Sequence, residues 1–184
     1  MEALDTRRNY TYADYLTWDD DKRYEIINGE VYNMGAPTRN HQRISALLHF
    51  RLMAYLEGKT CQAYAAPFDV RLAADKADDI VVQPDLLVIC DMEKLADGKS
   101  CIGAPDMVVE ILSDSTKRKD RNIKHNVYRK AGVREFWVIE PEEKTVEVYL
   151  LLGDHYVSNS YIETDTIPVT VLDDCKINLQ DIFK

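Results

Sequence analysis

One strand-length segment places the strongest constraint on how this chain can fold. Residues 106–112 read Asp-Met-Val-Val-Glu-Ile-Leu, and apart from Glu110 the last six are all aliphatic. A strand whose apolar residues run on without alternation is typical of a sheet that is covered on both faces. Burying a carboxylate such as Glu110 there is costly unless it binds a metal or pairs with a buried Arg or Lys. The segment therefore predicts a covered sheet that carries one functional or ion-paired acid.

The rest of the chain predicts a mixed sheet with two main helices. Asn28-Gly29 favours a type I′ turn between strands at 23–27 and 30–34, because both residues tolerate positive φ. Apolar residues spaced three and four apart predict a helix over 41–56, and a second helix is expected over 116–131 with Gly132 at its end. Further strands are expected at 61–65, 68–72, 86–90, 136–140 and 145–151, followed by short strands and a final turn at 179–183. We predict an α/β (α+β) fold in a single domain of residues 1–184.

Composition narrows the class of protein. The four cysteines stand apart and the four histidines show no metal-site spacing, so we expect reduced thiols and no structural zinc. No apolar run reaches the length of a membrane span, and the first ten residues contain no signal-peptide core, so we expect a cytosolic protein that does not contact a membrane. The net charge of −9 argues against a general nucleic-acid coat protein.

Asp85 and Glu110 are the leading candidates for a metal site. Asp85 follows Gln83-Pro84 at the entrance of one apolar run, and Glu110 lies near the end of another. Two strands that bring one carboxylate each to a common edge can hold a hard cation such as Mg²⁺ or Mn²⁺. The alternative for Asp85 is a turn aspartate that accepts local backbone N–H groups.

The second predicted helix supplies basic residues. Lys124 and Tyr128 fall near one face of it, where a lysine could orient an attacking water or offset phosphate charge; the alternative is an exposed lysine. Lys117, Arg118 and Arg121 belong to a local basic stretch that suits nucleic acid and equally suits a solvated helix.

Three further residues are possible supporting members of a site. Glu25 lies in the first hairpin, and His41 opens the long helix, where it could reach a phosphate or face water. Asp106 lies four residues before Glu110, on the same strand face, and is a supporting acid or the alternative to Asp85.

Taken together, these motifs resemble the Uma-two family of bacterial endonucleases, which have the restriction-endonuclease-like PD-(D/E)XK fold. The resemblance runs from about residue 12 to residue 183. It is carried by five stretches in the family's order, namely residues 24–30, His41, residues 83–85, residues 103–113 and residues 128–139.

The resemblance implies a magnesium-dependent phosphodiesterase with a mixed sheet flanked by helices. Asp85 and Glu110 would hold Mg²⁺ or Mn²⁺ together with the backbone carbonyl of Ile111. The motif's lysine is replaced by Leu112, so Lys124 is expected to supply its ammonium group. Lys117, Arg118 and Arg121 would contact flanking phosphates of DNA.

Two kinds of function remain open at this stage. A homodimer that cuts DNA is the leading hypothesis, and a nuclease for RNA or branched DNA is a variant of it. Leu112 and the net charge of −9 motivate the alternative, a non-catalytic dimeric binding or scaffold protein with the same fold.

Overall fold

The computed structural model describes residues 8–74, 76–113 and 120–184, without the side chains of residues 120 and 121. Its first elements are a one-turn helix, α1 (Tyr12–Tyr15), and a hairpin of β1 (Tyr24–Ile27) and β2 (Glu30–Asn33). Asn28 and Gly29 adopt φ of 51° and 78°, as a type I′ turn requires. The predicted hairpin is confirmed.

The long helix α2 (Arg39–Leu56) begins two residues earlier than predicted, because Thr38 caps it and accepts a hydrogen bond from the His41 backbone N–H. Its buried stripe, spaced four residues apart, packs on the main sheet; it consists of Ile44, Leu48, Leu52 and Leu56. Gly58 follows with a positive φ of 72° and ends the helix as expected.

The main sheet has six strands within the described residues, in the order β11-β10-β9-β8-β6-β3. Neighbours are antiparallel except β8 and β9, which are parallel. The strands are β3 (Gln62–Ala65), β6 (Leu86–Ile89), β8 (Met107–Ile111), β9 (Glu135–Glu140), β10 (Thr145–Leu152) and β11 (His155–Ile162). The predicted mixed sheet is confirmed, and β11 is longer than the short strands that we expected there.

A second sheet joins the first hairpin to the middle of the chain, in the order β2-β1-β5-β4-β7. Its other strands are β4 (Asp69–Arg71), β5 (Val81–Val82) and β7 (Ser100–Ile102). The pattern of the sequence did not predict β5 or β7, which are two and three residues long. The chain also forms a small strand pair, β12 (Thr166–Pro168) and β13 (Lys176–Asn178), and two 3-10 turns, Met92–Leu95 and Leu179–Asp181.

Strand β8 is buried along its whole length, as its apolar run predicted. Met107, Val109 and Ile111 pack in the cluster that contains the α2 stripe. Val108 and Leu112 pack in the opposite cluster. By strand alternation the Glu110 side chain lies on the side of Val108 and Leu112. Because apolar side chains cover both faces, a charge at Glu110 needs partners that the surrounding elements must supply.

The helix predicted over residues 116–131 is not a regular α-helix throughout its described part. Its described part is a wide π-helical turn, Asp120–Lys124, followed by α3 (His125–Ala131), and residues 116–119 lie outside the described residues. Gly132 has a φ of 91° and accommodates the predicted end of the helix. A π-helical turn rotates the side chains on either side of it relative to a regular α-helix, so the direction of Lys124 could not be read from an α-helical pattern.

The expectation of reduced cysteines is wrong for one pair. Cys61 and Cys90 flank the paired strands β3 and β6 and form a disulfide, because this pairing brings their Cα atoms to 3.9 Å. Cys101 and Cys175 are buried free thiols, as expected of core cysteines. Within the described residues, no helix combines the length and the apolar character needed to cross a bilayer.

Candidate functional site

The paired strands β6 and β8 bring Asp85 and Glu110 to one edge of the main sheet. Leu86 pairs with Val109, and this antiparallel register continues to place Asp85 opposite Glu110. Asp85 Oδ2 accepts a hydrogen bond of 2.7 Å from the Ile111 backbone N–H, which fixes the carboxylate at the end of β8. Both carboxylates line the same cleft, and the metal site predicted for them stays a prediction.

Lys124 lies between two acids at the base of this cleft. Its Nζ is 2.7 Å from Glu25 Oε1 and 2.8 Å from Glu110 Oε1, and the Lys124 side chain is only 2% exposed. The ammonium group therefore comes from the π-helical turn rather than from position 112, where Leu112 is buried among apolar side chains. The structure therefore has a leucine where the motif lysine was expected, and it has the Lys124 ammonium beside Glu110.

Tyr128 completes the surroundings of Glu110. It lies in α3, and its side chain and that of Lys124 converge on the same carboxylate oxygen, Glu110 Oε1. The Tyr128 hydroxyl donates a hydrogen bond of 2.6 Å to Glu110 Oε1. Burial, and next the charge of Glu110, raise the pKa of Tyr128 well above its ordinary value of 10.0, so the hydroxyl keeps its proton as a donor.

Glu25 reaches the cluster from β1 of the second sheet. It is fully buried, and its Oε1 also accepts a hydrogen bond of 3.1 Å from the Gln83 backbone N–H. The Glu25–Lys124 ion pair thus joins the second sheet to the π-helical turn. This contact explains how an acid is accommodated in a strand whose other residues, Tyr24, Ile26 and Ile27, are hydrophobic.

His41 approaches Asp85 from the first turn of α2. Its Nε2 is 3.1 Å from Asp85 Oδ2, and the residue is 9% exposed. A carboxylate can only accept, so the geometry assigns the ring proton to Nε2. The structure places His41 in the cleft rather than in water, and it restrains the Asp85 carboxylate.

The cleft has a volume of about 100 Å³ and carries more negative than positive groups. The fixed charges among its described lining residues are three carboxylates and two cations, namely Glu25, Asp85, Glu110, Arg23 and Lys124. Carboxylate oxygens suit a hard divalent cation, and Mg²⁺ needs only one or two of them because it retains water ligands. Within the described ranges, no group of three His, Cys, Asp or Glu side chains is already arranged as a metal cluster. Ligation by Asp85 and Glu110 would leave the other positions to water and phosphate.

Not every residue suggested by the sequence lies at this edge. Asp106 is at the opposite end of β8, where it accepts a hydrogen bond of 2.7 Å from the Cys90 backbone N–H and pairs with Arg134. Asp106 is not among the residues that line the cleft with Asp85 and Glu110. The prediction of an Ile111 carbonyl ligand stays a prediction, since the observed contact of Ile111 is its N–H group.

The three residues predicted to contact phosphates have no described side chains. Lys117 and Arg118 are outside the described residues, and Arg121 is described in its backbone alone, within the π-helical turn. Their role therefore stays a prediction.

Sequence reasoning missed Arg23, which lines the cleft, and Gln83, which holds the Arg23 side chain. Gln83 is buried, and its Oε1 accepts a hydrogen bond of 2.8 Å from Arg23 Nε. Its Nε2 donates to Asp69 Oδ1 at 2.8 Å. Gln83 was visible beside Pro84 and Asp85, but nothing in the sequence connected it to an arginine 60 positions away.

Comparison with known proteins identifies the fold and then the family. A crystal structure titled as a putative nuclease belonging to DUF820, from Anabaena variabilis, superposes with a TM-score of 0.77 and 19% identity, over 95% of this chain and 97% of that one. The fold is therefore the restriction-endonuclease-like fold. The Uma2 family, described as "Putative restriction endonuclease", matches residues 12–180, and the chain belongs to this family.

Two relatives come from Synechocystis sp. PCC 6803. The uncharacterized protein slr1290 is 28% identical over 141 residues, which is 74% of this chain and 71% of that protein. The uncharacterized protein sll1609 is 26% identical over 158 residues, or 84% of this chain and 88% of that protein. The expected family membership and fold are confirmed.

Proposed function

We propose that this protein is a divalent-cation-dependent nuclease that hydrolyses phosphodiester bonds in DNA. The observation that carries the proposal is the buried Glu25–Lys124–Glu110 cluster beside Asp85 in one cleft. Burying these charges costs stability, because a buried ion pair rarely stabilises a fold more than well-packed apolar residues of similar size. Buried charged groups of this kind cluster at functional sites, where they serve binding or catalysis.

Mg²⁺ or Mn²⁺ is the cofactor in this proposal, held by Asp85 and Glu110 and by the backbone carbonyl of Ile111. The acidic cleft supports this choice, because its three carboxylates outnumber its two cations and would repel a phosphodiester anion unless a bound cation offset the excess negative charge. When bound, such a cation lowers the pKa of a coordinated water and polarises the phosphate. The His41–Asp85 contact and the Ile111 N–H orient one of the carboxylates for ligation.

Lys124 has the central role among the groups of the chain itself. Its ammonium lies at hydrogen-bond distance from Glu110 and borders the cleft, where it can orient the attacking water or stabilise developing negative charge. The Tyr128 hydroxyl and the Gln83 backbone N–H hold the two carboxylates that position Lys124. These contacts pre-organise the group, so that little reorganisation is needed when substrate binds.

The remaining parts of the proposal concern the substrate and the assembly. Lys117, Arg118 and Arg121 would contact phosphates beside the cleavage point, since a chain of net charge −9 needs a local basic surface to hold DNA. Cutting both strands of a duplex needs two sites, so we propose a cytosolic homodimer built from a single domain of residues 1–184.

A plasmid assay with matched variants tests the activity. Wild-type protein is expected to nick or linearise supercoiled plasmid with Mg²⁺ or Mn²⁺ and to stop when a chelator is added. Glu110→Gln keeps the shape of the side chain and is expected to lose about 100-fold or more, since it removes a ligand and the partner of Lys124. The control, Glu93→Gln, changes an exposed acid outside the cleft and should cleave normally.

Two outcomes would contradict the proposal. Equal cleavage by Glu110→Gln and wild type would show that the proposed site does not carry out the cleavage. Melting curves would show that Glu110→Gln and Glu93→Gln are both folded. A wild type that binds plasmid without cleaving it would favour a non-catalytic binding protein. Single-stranded RNA and branched DNA, tested in the same way, would show whether DNA is the right substrate.

A further inference from the structure

Two residues that line the cleft each carry a buried polar atom with no hydrogen-bond partner in the described part of the chain. The two atoms are Arg23 Nη2 and His41 Nδ1. Nearly all buried polar atoms in proteins are hydrogen-bonded, and an orphaned one is costly. Arg23 Nη2 can only donate, so an acceptor oxygen of a ligand in the adjoining cleft is the simplest source of its missing partner.

The Arg23 guanidinium is held in place before any ligand arrives. Its Nε donates to Gln83 Oε1 at 2.8 Å. The Gln83 amide is itself oriented, because its Nε2 donates to Asp69 Oδ1 at 2.8 Å and lies 3.1 Å from the Tyr15 hydroxyl. The amide oxygen must therefore face Arg23. A group anchored at one nitrogen binds a ligand at another with a smaller loss of side-chain entropy.

The wall of the cleft next to Arg23 supplies no charged acceptor. Residues 33–37, which line this wall, read Asn-Met-Gly-Ala-Pro. The Arg23 carbonyl accepts a hydrogen bond of 2.9 Å from the Met34 N–H, which ties the base of the side chain to the same wall. The guanidinium therefore belongs to a residue that lines an acidic cleft, and its Nη2 has no hydrogen-bond partner among the described residues.

We propose that Arg23 is a substrate-contacting residue whose Nη2 donates a hydrogen bond to a phosphate oxygen of the bound nucleic-acid strand. This inference rests on the proposed nuclease function and names a phosphate contact of the same site. Guanidinium binds phosphate in a defined geometry that an ammonium group cannot reproduce. Gln83 connects the two parts of the site, since its side chain anchors Arg23 and its backbone N–H holds Glu25.

Binding of a short DNA duplex tests this contact. Fluorescence anisotropy in Ca²⁺, in place of Mg²⁺, measures affinity without rapid turnover, and cleavage in Mg²⁺ follows. Arg23→Met keeps most of the side-chain volume and is expected to weaken duplex binding about 10- to 100-fold, as for the loss of a charged hydrogen bond. The slope of log K against log salt should fall by about 0.9, the value for one lost phosphate contact.

Lys22→Met is the matched control, because Lys22 is the neighbouring exposed cation and does not line the cleft. It should change affinity by about twofold or less, as expected for an exposed charge. Arg23→Lys keeps the charge but loses the fork that meets Gln83, so it should bind several-fold more weakly than wild type, with a nearly normal salt slope. Melting curves accompany each variant.

The outcomes separate this inference from the proposed function. A wild type that binds and cleaves, together with Arg23→Met that behaves like Lys22→Met, overturns the role of Arg23 and leaves the nuclease in place. If Arg23→Met does not fold, equal binding by Arg23→Lys and wild type overturns the role instead. A wild type that neither binds nor cleaves the duplex overturns both.

Discussion

Replacing Lys124 with methionine should be the most destabilising single change at the cleft. Methionine fills much of the same space but removes the ammonium that lies 2.7 Å from Glu25 Oε1 and 2.8 Å from Glu110 Oε1. The carboxylates that remain are 0% and 4% exposed, so water cannot replace the lost partner without opening the structure. Breaking a buried pair in this way typically costs about 3–5 kcal/mol.

Urea unfolding followed by circular dichroism measures this cost. The control is Lys130→Met, the same change on the exposed side of α3, for which we expect a change within about 0.5 kcal/mol. A double variant, Lys124→Met with Glu25→Gln, should regain about 1–3 kcal/mol, because it removes one of the two facing charges. If Lys124→Met and Lys130→Met lowered the free energy of unfolding equally, the reasoning about a buried ion cluster would be refuted.

Three further changes test the surroundings of the site and the fold. Tyr128→Phe should lower the free energy of unfolding by about 1–3 kcal/mol in urea titrations, since Glu110 loses a buried donor, and an unchanged midpoint would contradict this. Gly29→Ala should cost about 1–2 kcal/mol or more by thermal melting, because φ is 78° and the added Cβ would lie 2.9 Å from Asn9 Cβ; a neutral result would refute the turn geometry. Burial raises the pKa of Glu135 above its ordinary 4.5, so its stabilising contribution is complete below pH 4.5 and is lost as the pH rises through the higher folded-state value. Glu135→Gln should therefore flatten the stability–pH curve above pH 4.5, and a curve identical to that of wild type would contradict this assignment.

Local sequence patterns were sufficient to predict most of the main sheet and the long helix. The Asn28-Gly29 turn and the four-residue spacing of the α2 stripe each arise from interactions between near neighbours in the chain. Strands β5 and β7 could not be predicted in the same way. A strand of two or three residues shows no periodicity, and its pairing depends on partners that are distant in sequence.

The part of the site that local sequence patterns indicate was also predictable. Glu110 stood out because its immediate neighbours are aliphatic, and Asp85 because it precedes a buried strand. The pairing of Lys124 with Glu25 is a contact between elements about a hundred positions apart, and the π-helical turn that aims Lys124 has no simple sequence signal. The disulfide between Cys61 and Cys90 likewise follows from the register of β3 and β6 and not from the spacing of the cysteines.

Calorimetric titration with Mn²⁺ is the most direct test of the central claim that Asp85 and Glu110 form a metal site. Asp85→Asn removes the charge and keeps an oxygen facing the Ile111 N–H, whereas Asp106→Asn makes the same change at the other end of β8. We expect wild type and Asp106→Asn to bind Mn²⁺ with similar affinity, and Asp85→Asn to bind at least about tenfold more weakly. Absence of binding by the wild type, or equal binding by Asp85→Asn, would contradict the claim.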